Sequence, residues 1–167
     1  MKKIKYMIAM VLMALACQVS AVSLNDYAEN KIADHVFRGA AFSESAPASY
    51  YIALFTTSCT DAAVGTEVTG GSYARVAIAR SQAAWNGTHG NATGASSGTN
   101  GTISNASAIT FPAPTANWGS VTSFGVIDAV SSGNPIVCTD LTIAQTINNG
   151  DSAPAFSVGA LTIQIDN

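Results

Sequence analysis

The sequence is short of charge. Charged residues make up only 10% of the 167, while 48% are hydrophobic; an average soluble domain carries about 25% charged residues. So large an apolar share excludes an intrinsically disordered chain, which cannot bury enough surface to offset its conformational entropy. Basic residues are scarcer still, and they stop early. They are Lys2, Lys3, Lys5, Lys31, Arg38, Arg75 and Arg80, and no Lys or Arg follows Arg80. A nucleic-acid binder needs clustered cations to neutralise phosphates, so nucleic acid is excluded as a partner. Imidazole comes only from His35 and His89, which are isolated from each other in sequence. Cysteine is limited to Cys17, Cys59 and Cys138, too few for a disulfide-dense miniprotein. A P-loop, a dinucleotide fingerprint and an EF-hand loop are all missing. The longest apolar run, residues 7–16, is half the ~20 residues a stable membrane span requires.

That run does have a function in its context. Three lysines precede it within residues 1–6, and Val19-Ser20-Ala21 follows with small side chains where a signal peptidase reads. Residues 1–21 therefore read as a secretory leader cleaved near Ala21. A weaker exported reading takes Leu15-Ala16-Cys17 as a lipoprotein site, although Ala14 stands where Leu is usual. The remaining domain, residues 22–167, keeps two cysteines. In an oxidising compartment Cys59 and Cys138 form one disulfide across the sheet; in a reducing one they are two buried thiols.

Residues 23–38 predict one amphipathic helix. Ser23 followed by Asp26 is a capping-box pattern. Leu24, Ala28, Ile32 and Val36 recur every four residues with Tyr27 alongside, and Gly39 suits the left-handed end. Beyond it the period shortens to two. Residues 50–56, 73–80, 108–111, 121–128, 136–142 and 161–166 are short apolar or alternating runs separated by Gly, Pro and Asn. In the last, Leu161, Ile163 and Ile165 take one face and Thr162, Gln164 and Asp166 the other. The expected fold is mainly β: a jelly-roll-like antiparallel sandwich with one N-terminal helix. Residues 86–107, rich in Gly, Ser, Thr and Asn, are expected as an exposed loop or loosely held hairpin. That tract holds four formal glycosylation triplets, starting at Asn86, Asn91, Asn100 and Asn105.

No catalytic site emerges, and no cofactor or metal is called for. Gly94-Ala95-Ser96-Ser97-Gly98 matches a nucleophile elbow, but the mechanism needs a buried strand before Ser96 and a helix after it. Both flanks are polar. Asp61 with Glu67, or Asp128 with Asp140, are the acid pairs to consider for glycoside cleavage; each residue also lies near a turn, where acids are ordinarily solvated. Trp85, Trp118 and Tyr73 are the candidate stacking platforms for a sugar, with core or interface packing as the equal alternative.

Taken in order, the blocks at 25–37 (NDYAENKIADHVF), 50–56 (YYIALFT), 65–75 (GTEVTGGSYAR), 103–112 (ISNASAITFP), 118–129 (WGSVTSFGVIDA) and 159–166 (GALTIQID) resemble a family of small tailed-bacteriophage virion proteins, the tail fibre or structural proteins. The resemblance spans residues 24–166. It implies a non-enzymatic β-rich module in the virion, a tail-fibre or capsid-decoration subunit. Its partners would be copies of itself, as in a trimer, other virion proteins and a host surface glycan. Tyr27, Ile32 and Val36 on the helix are then the candidate assembly residues, with simple capping of the sandwich as the alternative. The leader departs from this pattern. Either it is an upstream extension, or the module serves as an exported adhesin-like, carbohydrate-binding or filament domain in the periplasm, at the cell surface or outside.

Overall fold

A computed structural model describes residues 24–40, 47–87 and 101–164. The leader at 1–21, the Ser96 motif, His89 and Ile165 lie outside the described residues. Helix α1 (Asp26–Arg38) is followed by nine strands: β1 (Ser49–Phe55), β2 (Val76–Ala79), β3 (Trp85–Asn86), β4 (Thr102–Asn105), β5 (Ile109–Thr110), β6 (Gly119–Ile127), β7 (Pro135–Ile147), β8 (Ala155–Phe156) and β9 (Thr162–Gln164). They form three antiparallel sheets of order β2-β1-β6-β7, β3-β4-β9 and β5-β8. The expected mainly-β class holds, without closure into a barrel.

One face of the four-stranded sheet builds the core. Ile52 pairs with Val126 and Leu54 with Phe124 across β1 and β6, and all four side chains are buried. Ile109, Phe111, Phe156, Leu161 and Ile163, from the smaller sheets and their flanks, close over them. Phe124 and Phe156 meet at 5.2 Å between ring centroids, a favourable tilted aromatic contact. The opposite face of β1 is covered too. Ala53, Phe55 and Ile127 form a second cluster with Cys59 and Cys138. Burial on both faces explains why residues 50–56 read as a continuous apolar run and not as an alternation.

The β6–β7 ladder slips between Val121 and Ser123, whose partners are Gln145 and Asp140. The mismatch sets residues 141–144 of β7 opposite Thr122 alone, as in a bulge, and Ile143 among them is exposed. At the same place β6 departs from strict alternation, since Val121 joins Phe124 and Val126 in the core.

One expectation needs correction. The helix starts at Asp26, not Ser23, with Asn25 as its N-cap. The Asn25 carbonyl receives Ala28 N–H at 2.8 Å and Glu29 N–H at 3.1 Å. Its side-chain amide instead donates to the carbonyls of Thr60 and Asp61, so the long loop after β1 fixes where the helix begins. Gly39 ends the helix at φ +66° as expected. At residues 86–107 the described ends pair as strands, in keeping with the hairpin alternative. Trp85 and Asn86 pair with Asn105 and Ser104, and β4 also pairs with β9. Buried Asn105 explains the ordering. It donates to the Ser107 and Ser157 carbonyls, each at 2.8 Å, and accepts from Leu161 N–H at 2.9 Å. The described end of the tract at β4 is fixed through Asn105, a buried polar side chain whose amide is hydrogen-bonded.

Candidate functional site

Neither candidate acid pair forms a site: Glu67, Asp128 and Asp140 each serve a separate structural bond, and the Asp61 carboxylate is exposed beside the helix. Glu67 takes Arg75 Nε on Oε1 at 2.8 Å and Nη2 on Oε2 at 2.7 Å. Asp128 accepts from Asn134 N–H and from its side-chain amide, closing the β6–β7 turn. Asp140 accepts from Cys59 N–H at 3.3 Å. Asp61 lies beside Asp26 and Glu29, with carboxylate oxygens of all three within 4.8 Å of one another and all three residues exposed. This acidic triad was hidden in the sequence, because Asp61 is brought to the helix by bonds from the Asn25 side-chain amide and the Asp26 N–H to its carbonyl. His35 is exposed on α1, its Nδ1 3.1 Å from the Ala40 carbonyl.

The cysteines do meet. Cys59 and Cys138 form a disulfide with Cα atoms 5.7 Å apart, inside the usual range for such a bridge. The bond tethers the loop after β1 to β7, on the outer face of the large sheet. Gly65 closes that loop back on itself: its backbone lies against the Thr57 carbonyl, where any Cβ would overlap.

Of the three aromatic candidates, two belong to the core. Trp118 is buried, donates Nε1–H to the Gly71 carbonyl at 2.9 Å and meets Tyr73 edge-on at 5.3 Å. The Tyr73 hydroxyl accepts from Leu54 N–H and donates to Glu67. Neither ring offers a platform to a ligand. Trp85 does face open space. With Tyr50, Arg80, Ile103, Ile136 and Ile163 it lines an apolar cleft of about 410 Å³, a size in the ordinary range for ligand pockets. Leu24 also lines the cleft, where it bridges to Val137. The lining comes from seven separate stretches of chain, so no local motif announces it.

Helix α1 is the other surface feature. It is anchored at its start through Asn25 and buries only Ala28. Tyr27 and Ile32 are half-buried, whereas Val36 is 60% and Phe37 84% exposed. The apolar stripe expected through Tyr27, Ile32 and Val36 therefore divides. Its first half packs toward the domain, and its second half reaches solvent. Among the described residues no helix is long and apolar enough to cross a membrane.

The profile of one known family, described as podophage GP4 fiber I protein gp80, matches residues 23–164. No curated protein matches the chain. The match covers the helix and all nine strands, so it concerns the entire described domain and no single motif. The chain belongs to the podophage GP4 fiber I protein gp80 family, a family of phage fibre proteins.

Proposed function

We propose that this protein is a structural, non-enzymatic subunit of a phage fibre, acting within the virion through contacts with copies of itself and with other virion proteins. The observation that carries this reading is the family match across residues 23–164. The side-chain arrangement supports it. The acids and aromatics with catalytic or ligand potential are mostly committed to internal bonds: Glu67 to Arg75, Asp128 to Asn134, Trp118 to Gly71. A surface with few charges also suits packing between subunits, where a buried unpaired charge costs several kcal/mol. The β domain is the rigid body, and α1 is its attachment element through Tyr27, Ile32 and Val36.

Deleting the gene from the phage tests this. The expected particles have filled heads but lack a fibre and adsorb poorly; unchanged fibres and adsorption would overturn the reading. Capsid decoration is the variant in which the deletion instead strips protein from the head surface. A second reading is favoured by the Trp85–Tyr50 cleft: an exported binding module, freed by cleavage near Ala21, that holds a sugar or apolar group. Its location distinguishes it: the exported module is recovered free of particles with its N-terminus near Val22, whereas a fibre subunit sediments with the virions.

A further inference from the structure

From the placement of Arg80 on the one polar lip of the Trp85–Tyr50 cleft, we infer that this cleft binds a small amphipathic carboxylate. A medium-length acyl chain lies inside, and its head pairs with the Arg80 guanidinium. The inference goes beyond the fibre reading and concerns the domain itself, wherever it acts. The cleft opens between two sheets. Tyr50, Ile136 and Val137 come from the large sheet, and Trp85, Ile103 and Ile163 from the three strands of the β3-β4-β9 sheet. Val137 and Ile163 are buried core residues, and the half-buried Tyr50, Trp85, Ile103 and Ile136 pack against that core. The floor of the cleft is therefore continuous with the core. Sheets in a packed domain ordinarily meet with few voids larger than a water molecule, whereas this gap measures about 410 Å³. Water fills it poorly. An ordered water needs about two to four polar partners, and isoleucine and valine side chains offer none.

Polarity is concentrated in one stretch, where Arg80, Ser81 and Gln82 follow one another along the lining. Among the described lining residues there is no Asp or Glu. The Ser81 hydroxyl already accepts from Ala84 N–H. Arg80 differs. The ion pairs among the described residues engage Arg38 and Arg75, so the exposed Arg80 has no carboxylate partner there. Tyr50 stands near it. Burial holds the Tyr50 phenol above its ordinary value, against the pull of the Arg80 charge, so the hydroxyl is a second proton donor beside the guanidinium. These features select a ligand. A guanidinium offers a two-pronged donor that matches a carboxylate, and one cation balances one negative charge. A sugar suits the cleft badly, because hydroxyls set against its apolar walls lose their hydrogen bonds to water. A neutral hydrocarbon leaves Arg80 unused, and a cation is repelled by it. An acyl carboxylate matches both the walls and the lip.

Titrating the full chain with decanoate, below the concentration at which it forms micelles, tests this by calorimetry and tryptophan fluorescence. The expected result is saturation at one decanoate per chain with a Kd below about 1 mM. Decanol binds more weakly, and decyltrimethylammonium more weakly still. Arg80→Gln weakens decanoate about tenfold and leaves decanol unchanged. Trp85→Phe removes the fluorescence change while the heat of binding remains, which sets the ligand at this cleft and not beside Trp118. Circular dichroism follows the fold of each variant. Absence of binding would overturn the inference, whether another part of the chain or a second copy fills the cleft. So would a decanoate affinity indifferent to Arg80→Gln, equal binding of the cationic probe, or uptake that never saturates. Binding is read on the purified protein and the fibre assignment on virions, so either can fail alone.

Discussion

Arg75 grips Glu67 by two parallel bonds, 2.8 and 2.7 Å long, and its remaining nitrogen donates to the carbonyls of Ala129 and Ser132. One guanidinium thus ties the strand leading into β2 to the turn between β6 and β7, using the fork geometry that only arginine provides. Arg75 is nearly covered and Glu67 partly so. Removing either partner leaves the other poorly solvated. Arg75→Ala is expected to lower the unfolding free energy by about 2–3 kcal/mol, less than a fully buried pair because Glu67 keeps some water. The double variant with Glu67→Ala should cost clearly less than the two singles added together. Urea denaturation of the four proteins reads both effects.

Tyr73 makes stability depend on alkaline pH. Burial, aided by the Glu67 carboxylate, holds its phenol above the ordinary value of 10.0, against the lowering pull of the Leu54 N–H. The unfolded chain therefore releases this proton near pH 10 while the folded one keeps it, and stability falls as pH rises further. Tyr73→Phe should be less stable near neutrality by about 1–3 kcal/mol, because Leu54 N–H loses its acceptor. Its stability should also decline less steeply between about pH 9 and 11. Denaturation midpoints across that range give the two slopes, and equal slopes would refute the assignment.

The Cys59–Cys138 bond closes a stretch with a sequence separation of 79. Chain-entropy arguments put its contribution at about 4 kcal/mol. Reduction should shift the denaturation midpoint downward. Without reductant, neither Cys59 nor Cys138 should take up an alkylating reagent under denaturing conditions.

Asn105 is the pin for the last sheet. Asn105→Ala frees Leu161 N–H and the carbonyls of Ser107 and Ser157. With three bonds lost in a buried setting, the cost should reach about 3 kcal/mol. Hydrogen exchange should quicken first at Leu161 and along β9. The same bonds occupy the amide that a glycan would need, so peptide mapping should find Asn105 unmodified in the folded protein.

The sequence showed the strands whose burial is regular, and it missed those held by distant partners. Residues 50–56 and 121–128 stood out because Ile52, Leu54, Phe124 and Val126 form a dense apolar set. β4 did not, since residues 102–105 read as part of a polar tract until Asn105 meets Leu161 and Ser157 from more than fifty residues away. β8 is only Ala155–Phe156, too short to show any period. The helix was legible, but its exposed half was not, because a regular apolar stripe does not say how far the domain beneath it extends. Tyr73 and Trp118 showed the same limit. An aromatic side chain is equally suited to a core and to a binding platform, and only the Gly71 and Leu54 bonds decide for the core.

Quantitative mass spectrometry of gradient-purified virions tests the fibre assignment most directly. The account predicts peptides from this chain in the particle band, at several copies per particle, lost together with the fibre when fibres are sheared off. Peptides confined to the culture fluid or the host envelope, and absent from every particle fraction, would contradict it.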